Sequence, residues 1–262
     1  MTQAKVPRLH QPYYRNGANH RSGADVSFSD IVKLFGFRTA AIGKWVNQTE
    51  QQLAANLMFD ALCDLMDILQ VPEKVISLSG QLSIAFGRGG RKHSSAHYDA
   101  GSRTLALVKN AGGGAIAHEW MHAFDHYIAS KLFSQAASHE FASQLWLKDR
   151  QIRPHPLNSK LDDCYRSIFL NKSQNDANEY VARSMLADQH LQQLYYAQPQ
   201  ELVARAFEAM VQDHKIKNAF LVQGTKQSTE AKLGIYPQGQ LRQTISQKLL
   251  DYFRHLGQAI GK

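Results

Sequence analysis

The sequence predicts an α+β protein in which a small antiparallel sheet is set among helices. Three observations lead there: a leucine-rich stripe of helical period ending near Gln70, short β-prone runs separated by glycine clusters between Val75 and Val108, and helical patterning over nearly everything beyond Ala115. The 262 residues are 44% hydrophobic and 20% charged, an ordinary globular balance with room for one large domain or two small ones.

Residues 1–27 carry Pro, Gly, Asn and basic side chains without apolar periodicity and read as a basic extended arm. Thr49 is expected to cap a helix running to about Gln70, because Leu53, Leu57, Ala61, Leu65 and Leu69 recur every four residues while Met58, Leu62 and Ile68 widen the stripe. Val71-Pro72 ends it. The runs Val75 to Leu78, Leu82 to Phe86 and Thr104 to Val108 are then expected as strands. Asn110-Ala111-Gly112-Gly113-Gly114 punctuates the chain before a second helix from about Ala115 to Phe133. Residues 214–262 read as a basic, mostly helical C-terminal extension.

No run of about 18 apolar residues occurs, so no membrane span is expected. The polar N-terminal stretch lacks the apolar core of a secretion signal, and the expected location is cytoplasmic. Cys63 and Cys164 are too few for a disulfide framework or a cysteine zinc site and are expected as reduced, buried thiols. The net charge of +8 is concentrated at the ends: residues 1–28 contribute +3 and residues 214–262 contribute +6. Such ends can attract an acidic partner, nucleic acid included, or simply keep the surface solvated; the basic residues come singly, which favours solvation.

The chemistry is concentrated in His118-Glu119-Trp120-Met121-His122. On a helix, residues four apart lie one above the other, so both imidazoles can reach one Zn²⁺ at about 2.0–2.1 Å. Glu119, turned by about 100° from His118, is placed to act on a zinc-bound water as general base. Zinc lowers the pKa of that water to about 7, which makes hydrolysis of a polarised carbonyl the expected reaction. Ile116, Trp120, Met121 and Phe124 supply an apolar side, and the strand from Thr104 to Val108 is the expected edge for an extended substrate backbone.

A catalytic zinc takes three protein ligands and keeps one position open. A third histidine ten residues after the first is excluded, because that position is Ile128. Asp125 is placed one turn after His122 to orient an imidazole, or to close the site as a fourth ligand of a purely structural zinc. In Glu201-Leu202-Val203-Ala204-Arg205-Ala206-Phe207-Glu208, Glu201, Arg205 and Glu208 share one helical face. The two acids are about 10.5 Å apart along the axis, so one is a ligand candidate and the other pairs with Arg205 or supports the site. Glu179 opens a similar Glu-x-x-Ala-Arg segment and ranks below both.

Many separated segments also come in a familiar order: Phe35-Gly36-Phe37-Arg38, Gly43-Lys44-Trp45-Val46, Asp60 to Leu65, Ala96-His97-Tyr98, Leu105 to Leu107, Gly112 to Gly114, Ala117 to Asp125 and Ala204 to Glu208. Together they resemble large polyvalent protein-associated domain 1, a metallopeptidase-like domain of phage and mobile-element proteins. They also resemble a stand-alone bacterial family labelled CLCA-X, of HExxH zinc metallopeptidase-like, gluzincin-like proteins. The resemblance spans about residues 28–213. It implies a zincin-like metallopeptidase fold there, with a sheet and active-site helix above a zinc and a mostly helical lower part. It also implies Glu201 as third ligand, since related helices begin with that glutamate, although Arg205 stands where an acid or amide is usual. His97, Tyr98, Tyr195 and Tyr196 are candidate donors to an oxyanion. The resulting expectation is a zinc-dependent peptidase acting on a peptide or protein. The alternative is a nucleic-acid-associated or zinc-stabilised binding module.

Overall fold

The computed structural model describes residues 8–88, 96–109 and 113–261. Among them are four strands and ten helices, an α+β composition. The chain divides into two compact units. One comprises the described parts of Met1–Ile68, Pro72–Ala123 and Lys215–Gln223; the other comprises Leu69–Val71, Phe124–His214 and the described part of Gly224–Lys262.

The first unit opens with a short 3-10 turn and then helix α1 (Phe28–Phe35), started by a reciprocal Ser27–Asp30 capping box and stopped by Gly36 in the left-handed region. Strand β1 (Ala40–Ile42) leads into α2 (Gln48–Leu69), whose stripe is buried at Ala61, Leu65 and Leu69 and half-buried at Leu53 and Leu57, where Ala54, Ala55 and Met58 are enclosed instead. The cap is Asn47 rather than Thr49: Asn47 and Glu50 exchange hydrogen bonds of 2.9 and 3.0 Å, and Thr49 lies inside the first turn. The run at Val75 is not a strand. Pro72, in extended backbone, is the N-cap of a helical turn, α3 (Glu73–Ile76), and the apolar run is too short to have a period of its own that would decide between strand and helix.

Strands β2 (Ser83–Phe86), β3 (Ala96–Asp99) and β4 (Thr104–Leu107) complete a sheet of order β1-β2-β4-β3. The sheet is mixed, not antiparallel: β1, β2 and β4 run parallel, and only β3 opposes β4. The reason is β3, whose polar His97-Tyr98-Asp99 hides it from the hydrophobic pattern. With that strand inserted the chain reverses twice, and β2 and β4 finish in the same direction. A tight turn joins β3 to β4, held by Asp99, which accepts from the main-chain N–H groups of Gly101 and Ser102 at 3.1 and 3.2 Å. Consequently β4 is flanked on both sides, and among the described residues the edges are β1 at one end and β3 at the other.

Helix α4 (Ile116–Leu132) follows Gly113 and Gly114; Asn110, Ala111 and Gly112 of the same stretch lie outside the described residues, as do the first seven residues of the arm. A side chain at Gly113 would sit 2.3 Å from the Phe220 ring, so only glycine fits there. Segment 215–223 runs against this entry: Gly114 N–H, just before the helix, donates to Phe220 O (2.7 Å), and Ala117 N–H, a donor of the first turn, donates to Leu221 O (3.1 Å). The segment is held by Asn218, whose amide donates to the buried Asp64 carboxylate at 2.7 Å. Arg15 donates to the same carboxylate from Nε (2.6 Å) and Nη2 (2.7 Å), and Arg21 bonds Asp60 in the same helix α2. Residues 8–27, expected as an extended arm, are therefore bonded to this unit by two arginine–aspartate pairs.

The second unit contains the remainder of α4, residues 124–132, with α5 (Ala142–Leu147), α6 (Pro156–Phe169), α7 (Glu179–His190), α8 (Pro199–Asp213), α9 (Thr229–Lys232) and α10 (Gly239–Ile260). Its core is aromatic, with Phe253 of α10 set against Phe124 (5.0 Å between centroids) and Phe207 (5.7 Å). No described helix is long and apolar enough to cross a membrane.

Replacing Asp64 by Ala strands the buried Asn218 amide and the half-buried Arg15 guanidinium, and urea denaturation should show a loss of about 3–5 kcal/mol. Both cysteines are buried, and burial pushes each thiol up to about 12. They stay protonated at pH 8, so a disulfide reagent at that pH should label neither in the native protein and both in urea.

Candidate metal centre

The first unit brings three of the expected residues together on the first two turns of α4. His118 and His122 are each 8% exposed, and their Nε2 atoms lie 3.0 Å apart with the rings at 82°. Two nitrogens bound to one tetrahedral zinc at about 2.0–2.1 Å are separated by about 3.3 Å. The observed pair, at hydrogen-bond distance from one another, is within a few tenths of that separation. The donor set and its spacing therefore fit a zinc ion.

Glu119 does not share their face. Its Oε2 accepts a 2.7 Å hydrogen bond from the main-chain N–H of Tyr98 on β3. The sheet edge thus fixes the carboxylate, a link that nothing in the sequence marks, because the donor is backbone. The Tyr98 phenol is raised above its ordinary value by burial and stays a hydrogen-bond donor at neutral pH. His97, on the same strand, has a buried Nδ1 without a hydrogen-bond partner among the described residues.

The second unit holds the other acids. Helix α8 is buried all round from Glu201 to Val211, so its charged residues are enclosed: Glu201 is 7% exposed, Arg205 5% and Glu208 5%. Arg205 Nη1 donates to Glu201 Oε2 at 2.8 Å, while Glu208 Oε2 accepts from the Tyr236 hydroxyl at 3.2 Å. The arginine therefore belongs to Glu201, one turn away, and the second acid is served by a phenol. Burial opposes the guanidinium's charge, but Glu201, Tyr195 and Tyr180 outweigh it and hold Arg205 above its ordinary value. The rings of Tyr195 and Tyr196 sit over this cation, with centroids 5.1 and 4.8 Å away. Burial and then Glu201 push the Tyr195 phenol up to about 12.

Both tyrosines are positioned by Asp188, a buried carboxylate at the end of α7 that accepts from the N–H groups of Tyr195 (3.0 Å), Tyr196 (2.8 Å) and Ala197 (2.9 Å). Sequence reasoning did not single out Asp188; its only signal is an acid followed, seven residues on, by a turn rich in Tyr and Pro. Glu179 forms a solvent-open pair with Arg183 (2.8 Å), as does Glu140 with Lys148 (3.0 Å). These two glutamates carry ordinary surface ion pairs.

Asp125 is 1% exposed and accepts from the Ser143 N–H (3.0 Å), the Ser143 hydroxyl (2.5 Å) and the Tyr165 hydroxyl (2.7 Å). Within its unit it bolts α4 to α5 and α6. A second acid–imidazole group, His20, Asp64 and Asp67, has ligand atoms within 4.8 Å of one another. Arg15 already supplies the cation there.

Residues 187–260 match the family model of large polyvalent protein-associated domain 1. Of the segments that carry the sequence resemblance, Ala204 to Glu208 lies inside this match, which then continues across α9 and α10 beyond residue 213. No curated protein and no solved structure matches the chain. The family description names no reaction, so the reading of the site rests on its chemistry.

Asp125→Ala leaves three buried donors without an acceptor, and its midpoint of urea unfolding should correspond to a loss of about 3–5 kcal/mol.

Proposed function

We propose that this protein is a zinc-dependent, gluzincin-like metallopeptidase of zincin-like fold, with His118, His122 and Glu201 as ligands and Glu119 as general base. The observation that carries the reading is the convergence of two imidazole nitrogens 3.0 Å apart on the helix that also presents an anchored glutamate. The adjacent CLCA-X resemblance and the partial family match are consistent with it. Glu208 supports α8 through Tyr236 rather than serving as the third ligand.

A bound zinc supplies Lewis acidity at the scissile carbonyl and makes a water acidic enough to be deprotonated near neutrality. The chain supplies the rest. Tyr98 N–H holds Oε2 of Glu119, which turns Oε1 into the atom that takes the proton from water and later returns it to the departing amine. The same N–H identifies which way β3 faces: its main chain at Tyr98 is directed away from β4, toward Glu119. An extended peptide laid along β3 is thereby brought past the base, and strand addition to this edge positions the bond to be cut.

Glu119→Gln should retain one zinc per chain by elemental analysis yet cleave fluorescein-labelled casein at least about 100-fold more slowly. His118→Ala and His122→Ala should lose the metal. Cleavage by Glu119→Gln at the wild-type rate removes the assigned base, and purified wild type that neither contains nor takes up a transition metal removes the proposal altogether.

A further inference from the structure

Glutamate has three rotatable bonds, and a metal ligand on so flexible a stem needs a second group to set its carboxylate. On α8 that group is a cation where a carboxylate or amide was expected. Arg205 donates from Nη1 both to Glu201 Oε2 (2.8 Å) and to the Glu201 main-chain oxygen (3.4 Å), so it grips both ends of the same residue. The guanidinium is in turn held by the two tyrosine rings, themselves fixed through the three N–H bonds to Asp188. Tyr180 closes the arrangement by donating to Leu202 O at 2.9 Å, which ties the first turn of α8 to α7. Asp188, Tyr180, Glu201 and Arg205 are buried, Tyr196 is half-buried, and Tyr195 forms the exposed outer wall.

We infer that Arg205, cupped by Tyr195 and Tyr196, is a positioning residue that sets the Glu201 carboxylate for the metal by holding its Oε2. This rests on the reading of Glu201 as third ligand. A purely structural ion pair would affect folding alone; a positioning pair affects the metal.

The test is zinc affinity of the full chain, measured by competition with a chromophoric chelator, together with the visible spectrum of the cobalt-substituted protein. Arg205→Met should weaken zinc by about 10–100-fold, the usual effect of removing a group that orients a ligand, and should shift the cobalt bands. Arg205→Lys keeps the charge without the planar fork and should recover part of both. Tyr196→Leu keeps the ion pair and should weaken zinc by about 2–5-fold, the worth of one cation–π contact. Should Arg205→Met not fold, the lysine and leucine variants carry the comparison. Wild-type zinc affinity and an unchanged cobalt spectrum in the Arg205 variants overturn the inference and leave the site standing. A wild type that takes up no zinc, or a Glu201→Gln variant that binds it unaltered, overturns the ligand assignment beneath it.

Discussion

The buried carboxylate of Asp64 is the interaction on which the first unit's arrangement depends. It sits on the helix with the strongest sequence signal and collects donors from two distant places, Arg15 near the beginning of the chain and Asn218 near its end. Neither attachment is local, and a charged carboxylate taken out of water tolerates no vacancy among its donors. Arg15 is accordingly held as a cation, its charge opposed by burial and restored by Asp64. Through Asn218 the same carboxylate holds the segment that accepts from Gly114 before α4 and from Ala117 in its first turn, and the two histidines follow within its first two turns.

From there the site is a matter of helical geometry joined to one backbone contact. The imidazoles need only the four-residue spacing to face one another; Glu119 needs β3. A carboxylate on an exposed helical face would rotate among several conformers, whereas the Tyr98 amide selects one. The arrangement in α8 follows the same logic with opposite charges: a helix buried on every side carries three ionisable groups, with Glu201 set against the Arg205 cation and Glu208 against the Tyr236 phenol. Buried charge of this kind is a costly way to gain stability, and breaking the pair from one side costs more than forming it returns.

Much of the architecture was legible because periodicity survives without tertiary context. The leucine stripe of α2, the extent of α4 within a residue at each end, and the strands at Ser83 and Thr104 all follow from side-chain alternation and helical repeat. The errors fall where that signal is weak. Val75 to Leu78 is β-branched and apolar but too short to show a period, and it begins in the turn of helix that Pro72 caps. β3 is polar, so its omission turned a mixed sheet into an antiparallel one and left β4 at an edge that β3 occupies. Asn47 displaced Thr49 because a reciprocal pair with Glu50 satisfies two donors where a threonine satisfies one.

By itself the sequence determined the residue types and local spacings: two histidines one turn apart, a glutamate between them, and two acids flanking an arginine on a single helical face. Those follow from the fixed geometry of the α-helix, which a residue count is enough to apply. Only the tertiary structure decided which acid the arginine holds, which rings cover it, which strand forms the edge, and which main-chain N–H holds the glutamate. Such choices join groups far apart in the chain or depend on backbone donors common to nearly every residue. They are set by which buried polar atoms must find a partner once the core has closed.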